Sequence, residues 1–229
     1  MREIVLDTET TGFEPGEGDR IVEIGAVELF NHMPTGKVYH QYINPERAMP
    51  QGAFEVHGLG DDFLRDKPVF KKVGQAFLDF VGDARMVIHN AAFDMKFLNA
   101  ELGWAGFRLL PNDQALDTLA IARKKFPGSP ATLDALCRRF GIDNSAREKH
   151  GALLDSEILA EVYLELIGGR QPDLVLSSTS GGGSGKENSA SSWRASPRPE
   201  ALPSRITEEE RAAHQAFVDK LGDDALWKS

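Results

Sequence analysis

The sequence predicts an α/β fold: a mixed sheet with helices packed on its faces. Three observations predict it. Apolar runs of strand length come early, at residues 3–9, 21–30 and 38–43, and short turn segments join them, as in antiparallel neighbours. After residue 70, helical and strand-like periods alternate, the pattern that adds parallel strands and covers a sheet with helices. Glycine, proline and serine then dominate a stretch beyond residue 170, where the core-forming pattern ends.

Residues 3–9 read as the first strand, buried on both faces around Ile4-Val5-Leu6. Gly12, Pro15, Gly16 and Gly18 mark a loop, and Ile21 to Phe30 is a second strand. Pro34-Thr35-Gly36 reads as a turn before a third strand, Val38 to Ile43. The apolar spacing of Phe70, Val73, Phe77, Phe80 and Val81 predicts a helix over 70–81. Met86-Val87-Ile88 is a short buried strand, followed by Asn90 as a cap for a helix over about 92–102. Ala115 to Leu119 starts as a strand, and helices follow over 132–140 and 152–167, the last stopped by Gly168-Gly169. Trp104 and the scattered phenylalanines are read as core residues first.

Composition narrows the function classes. The chain has 229 residues, 41% hydrophobic and 27% charged, the balance of a soluble globular protein. No stretch reaches the roughly 18 apolar residues of a membrane span, and a strand within the first residues leaves no room for a signal peptide. The single cysteine, Cys137, sits in an apolar helical pattern and is expected in the core, with a reducing compartment implied. The net charge of −9 argues against holding nucleic acid by bulk attraction.

The chemistry concentrates in a few acids. In a strand, residues i and i+2 point the same way, so Asp7 and Glu9 present two carboxylates side by side, roughly 6–7 Å apart at the backbone. Two like charges at the end of a buried strand call for a divalent cation, and hard oxygen ligands suit magnesium or manganese. Asp94 falls in the first turn of the helix after Asn90, beside the stripe of Phe93, Phe97, Leu98 and Leu102. Asp155 opens another apolar helix, and His150 precedes it on a glycine-containing entry loop. Singly, each has an ordinary reading: an aspartate at a helix start is usually a cap, and a lone histidine is usually a surface or core side chain.

Together they match a pattern in order and context. Val5-Leu6-Asp7-Thr8-Glu9-Thr10-Thr11-Gly12, Val87-Ile88-His89-Asn90-Ala91-Ala92-Phe93-Asp94 and His150-Gly151-Ala152-Leu153-Leu154-Asp155 resemble the three motifs of the DnaQ-like, or DEDDh, 3′→5′ exonucleases. The resemblance covers residues 1–170 and is strongest to the proofreading (epsilon) branch that serves bacterial DNA polymerase III. It implies a ribonuclease-H-like fold and two Mg²⁺ or Mn²⁺ ions held by Asp7, Glu9, Asp94 and Asp155. Two such ions roughly 3.5–4 Å apart stabilise both the attacking and the leaving oxygen of an in-line displacement. A histidine titrating near 6.5 suits proton removal from water, the role implied for His150. Phe54-Glu55-Val56-His57-Gly58-Leu59 resembles the family segment beside the terminal nucleotide. Thr10 and His57, with Glu9 and Asp155, are therefore candidate substrate contacts. His89 is expected to be structural.

The expected organisation is an exonuclease domain at 1–170, a clamp-binding peptide at 171–176, a flexible linker at 177–204 and a polymerase-binding segment at 205–229. Gln171, Leu174 and Leu176 resemble the anchors of a sliding-clamp peptide. The linker would span roughly 25–30 Å as a random coil. Thr207 as cap, three glutamates in the first turn and the apolar residues Ala212, Ala213, Ala216, Phe217 and Leu221 predict a helix over 206–221. The resemblance implies that this helix binds the polymerase III alpha subunit. It also implies that the substrate is a single-stranded DNA 3′ end, that a small theta-like subunit is a further partner, and that the place of action is the bacterial cytosol. The competing readings are a free-standing trimmer of RNA or DNA 3′ ends and a largely structural bridge between clamp and polymerase.

Overall fold

The computed structural model describes residues 1–147, 149–169 and 206–221. The proposed clamp peptide and linker lie outside the described residues. Among the described residues, no helix is long and apolar enough to cross a membrane.

Five strands form one sheet: β1 (Arg2–Thr10), β2 (Ile21–Phe30), β3 (Met33–Tyr42), β4 (Arg85–Ile88) and β5 (Ala115–Asp117), in the order β3-β2-β1-β4-β5. β1–β2 and β2–β3 pair antiparallel, whereas β1–β4 and β4–β5 pair parallel. This is the mixed sheet that the order of elements predicts. Helices α1 (Gln51–His57), α2 (Asp61–Leu64) and α3 (Phe70–Val81) precede β4. α4 (Ala91–Ala105), α5 (Thr118–Lys125), α6 (Leu133–Phe140) and α7 (Ala152–Leu166) follow it.

Alternation along β1 sorts the core. Ile4 and Leu6 join Phe77, Phe97, Leu98 and Leu102 from α3 and α4 on one face of the sheet. Val5 faces the other way, with Leu159 and Tyr163 of α7. Cys137 is fully buried in a third cluster with Leu136, Ile158 and Val162, as its pattern predicts. By the same parity, Asp7 and Glu9 point toward α7, and Thr8 toward α4.

Several local features depart from the sequence reading. The β2–β3 turn is Asn31-His32, with φ of 50° and 65°, not Pro34-Thr35-Gly36. A two-residue hairpin turn with both φ positive matches the twist of its strands. Pro34-Thr35-Gly36 instead forms a bulge inside β3, where the register shifts opposite Glu28. β3 is an edge strand, the place where proline and bulges are tolerated. The third strand therefore begins at Met33 rather than Val38. Asn90 precedes α4 but makes no side-chain cap bond. Its φ of 69° turns the chain out of β4, and its backbone N–H donates to Asp117 Oδ1 at 3.0 Å. The strand expected over 115–119 stops at Asp117, whose side chain accepts from Leu119 N and caps α5. Trp104 is 55% exposed rather than buried, and the Arg20 guanidinium lies over its ring at 5.3 Å. Phe13 is also exposed, at 83%.

Residues 206–221 belong to a second unit of the chain. Its helix α8 (Glu208–Lys220) starts at a complete capping box: Thr207 accepts from the Glu210 backbone, and the Glu210 side chain accepts from the Thr207 backbone.

Candidate active site

The five residues singled out from sequence come from four places in the chain and meet at one cleft. Asp7 and Glu9 lie at the C-terminal end of β1, Asp94 in the first turn of α4, and Asp155 in the first turn of α7. His150 lies on the loop entering α7, held there by its backbone N–H donating to the Val56 carbonyl at 3.2 Å. All five line a cleft of about 760 Å³ that His89, Phe93 and Arg123 also border. A larger groove of about 950 Å³, between the β2–β3 hairpin and α7, contains none of them.

Close approach of α7 to the sheet makes this meeting possible. A methyl group at Gly25, directly opposite Asp7 on β2, would come within 2.1 Å of the Leu153 nitrogen and 2.2 Å of the Ala152 carbonyl carbon. Glycine is thus required there for steric reasons alone. Ser156 Oγ lies between the Gly25 carbonyl at 2.9 Å and the Ala152 carbonyl at 2.7 Å, its one proton serving both sides of the contact. On the other face, Thr8 Oγ1 donates to Asp94 Oδ1 at 2.7 Å and ties α4 to β1.

The carboxylates are crowded, and three of the four are nearly dry, Asp7 being partly exposed. Asp94 and Asp155 are each 3% exposed, and Glu9 8%. Burial first, then the charges of Asp94, Glu9 and Asp155, pushes the Asp7 carboxyl well above the usual carboxylate range. Burial and the nearby Asp155 and Glu23 push Glu9 up to about 8. Burial lifts Asp94 to about 7, against the opposing effect of the Thr8 hydrogen bond. Burial also acts to raise Asp155, but its bonds to His150 and Arg147 outweigh it and hold this carboxyl below its ordinary value.

Arg147 was not legible from sequence. Its guanidinium forks onto Asp155, with Nε to Oδ1 at 2.5 Å and Nη2 to Oδ2 at 2.7 Å. Nη1 donates to Asp134 Oδ1 on α6 at 2.7 Å. Nη2 lies 2.7 Å from His150 Nδ1, which is itself 3.3 Å from Asp155 Oδ2. A guanidinium only donates, so Nδ1 accepts there.

The donor set fits a hard divalent ion. Glu9, His150 and Asp155 each offer a ligand atom within 4.8 Å of the others, and Asp7 and Asp94 add two carboxylates to the lining of the same cleft. Thr10 and His57 stand beside the cleft rather than in its lining. Thr10 Oγ1 donates to the Gly12 carbonyl at 2.6 Å, and His57 Nδ1 accepts from Leu59 N at 3.0 Å. Burial lowers the affinity of His57 for a proton. His89 borders the cleft, but its Nδ1 bonds Thr118 Oγ1 at 2.9 Å, a structural tie between the residue after β4 and the start of α5.

Fold and site together define the class: a divalent-metal-dependent nuclease whose residues 4–163 match the family model described as Exonuclease. The nuclease domain of 3′hExo, a DEDDh member bound to rAMP, shares the fold. Its TM-score is 0.63 at 20% identity, over 72% of this chain and 91% of that one. Exonuclease X in complex with 5′-overhanging duplex DNA aligns with a TM-score of 0.55 at 21% identity, over 72% of this chain and 90% of that one. Within the exonucleases, the chain belongs to the family of DNA polymerase III epsilon subunits. The Escherichia coli K12 subunit is 44% identical over 246 aligned positions, covering 100% of this chain and 98% of the relative. The Rickettsia felis subunit is 56% identical over 174 residues, covering 75% of this chain and 76% of the relative.

Proposed function

We propose that this chain is the proofreading 3′→5′ exonuclease of a bacterial DNA polymerase III, with Asp7, Glu9, Asp94, Asp155 and His150 as its working set. The convergence of those five side chains on one cleft carries the proposal. Mg²⁺ or Mn²⁺ held by the four carboxylates would supply positive charge to offset the negative charge building on the phosphodiester. His150, at the cleft rim with a half-exposed side chain, takes the proton of the attacking water. Arg147, which donates to both His150 Nδ1 and Asp155, holds the ring beside that carboxylate. Glu9, Thr10, His57 and Asp155 hold the terminal nucleotide. The product is a nucleoside 5′-monophosphate from a frayed single-stranded 3′ end.

The rest of the chain serves delivery in this reading. Residues 1–170 are the nuclease. Gln171, Leu174 and Leu176 anchor a sliding clamp, 177–204 link flexibly, and 205–229 bind the alpha subunit in the cytosolic replisome. The capped helix α8 supports the last assignment, because Phe217 (59% exposed) and Leu221 (45% exposed) present apolar surface. A small theta-like subunit completes the proposed assembly. An acidic chain needs such a tether, since bulk attraction to DNA is unfavourable.

The test is digestion of single-stranded DNA with Mg²⁺, followed from both labelled ends. A 5′-labelled strand should give a ladder shortening one nucleotide at a time, with mononucleotide 5′-phosphates as product. Internal cleavage, or shortening from the 5′ end, would overturn the assignment.

A further inference from the structure

We propose that Arg147 is an internal counter-cation that competes with the divalent ion for Asp155, and so sets the ion concentration at which the site fills. This rests on the reading of Asp155 as an ion ligand. A fork engages both carboxylate oxygens of Asp155, at 2.5 and 2.7 Å, leaving neither free of a charged donor. The arginine is nearly enclosed, with 8% of its side chain exposed, so solvent screens the pair little. An ion binding Asp155 must share or displace a charge-assisted, bidentate partner.

The surroundings give the guanidinium somewhere to go. Nη1 is already held by Asp134, outside the four-carboxylate set, at 2.7 Å. Asn144 Nδ2 supports the same Asp134 oxygen at 3.0 Å. Arg147 can yield Asp155 while keeping this second anchor. The same group contacts His150 Nδ1, so withdrawing from Asp155 would also loosen its hold on the histidine. One cation thus ties the ligand and the histidine together until an ion takes over.

Mn²⁺ affinity of the full-length protein, measured by electron paramagnetic resonance, tests this without reference to turnover. Arg147→Met should tighten Mn²⁺ binding about tenfold, because no charge-assisted fork is left to displace. Arg147→Lys keeps a charge but cannot fork, and its affinity should fall between the two. The lysine variant carries the test alone if the methionine variant does not fold. Affinity equal to or weaker than wild type in both variants would overturn the competition. Wild-type protein that binds no Mn²⁺ would instead overturn the reading of the cleft as an ion site.

Discussion

Asp7, Glu9 and Asp94 are the costly residues of this molecule. Their carboxyls hold protons far above the ordinary range near 4, Glu9 up to about 8 and Asp94 to about 7. Between those limits the folded chain binds more protons than the unfolded chain, so stability falls as pH rises through the window. In a chelating buffer, the melting temperature should therefore drop from pH 5 to pH 8. Asp7→Asn combined with Glu9→Gln should flatten that slope and raise the melting temperature at pH 8, while ending catalysis. Saturating Mg²⁺ should also flatten it for wild type. A slope unchanged by the double substitution would contradict the burial argument. His150→Ala should lower turnover by about 10²–10⁴-fold while leaving Mn²⁺ bound; loss of the ion would make His150 a ligand instead. The aspartates were legible because β1 has a period of two and because Asp94 and Asp155 sit beside apolar stripes. Arg147 was not, since its partners lie on α6 and α7 and no periodicity governs a loop. Thr8 lay in plain sight between Asp7 and Glu9, yet its bond to Asp94 spans 86 positions, which local pattern cannot reveal.

At the scale of elements, α7 against β2 is the decisive contact. Gly25→Ala should push α7 off the sheet and destabilise the chain by about 1–3 kcal/mol, the usual range for overpacking, as read by urea unfolding. Activity should fall further than stability, because Asp155 and His150 move with α7. Gly25 looks ordinary within a buried strand, and only the approach of the Ala152–Leu153 backbone makes it necessary. At the other end of the chain, Thr207→Ala in a peptide of residues 205–222 should lose helicity by circular dichroism, with about 1 kcal/mol removed by loss of the cap. That cap was readable from Thr207 and Glu210 alone. Long amphipathic helices were likewise readable: α3 spans the residues its stripe predicts. The short α1 and α2 leave no such signal in the sequence, since neither carries a side-chain cap bond or enough turns to show a stripe. The β2–β3 turn was misplaced because Pro34-Thr35-Gly36 has stronger turn chemistry than Asn31-His32. An edge strand absorbed the former as a bulge.

For the whole molecule, an acidic nuclease unit and a separately capped helix suggest that catalysis and delivery are divisible. Residues 1–176 should degrade short single strands as fast as the full chain, yet recover less polymerase alpha subunit in a pull-down. Equal recovery would remove the role given to α8. The mixed sheet, its flanking helices and the meeting of three motifs followed from the sequence because strand parity and helix periodicity survive folding. The cleft's electrostatics did not, because they depend on how completely water is excluded from four acids drawn from distant segments. The most direct measurement is digestion of a mismatched primer terminus in Mg²⁺ by wild type and by Asp7→Ala/Glu9→Ala, with the fold of the variant verified by circular dichroism. The expected result is steady removal of the mismatched nucleotide by wild type and none above background by the folded variant. Undiminished digestion by that variant would contradict the central claim that these carboxylates carry the chemistry.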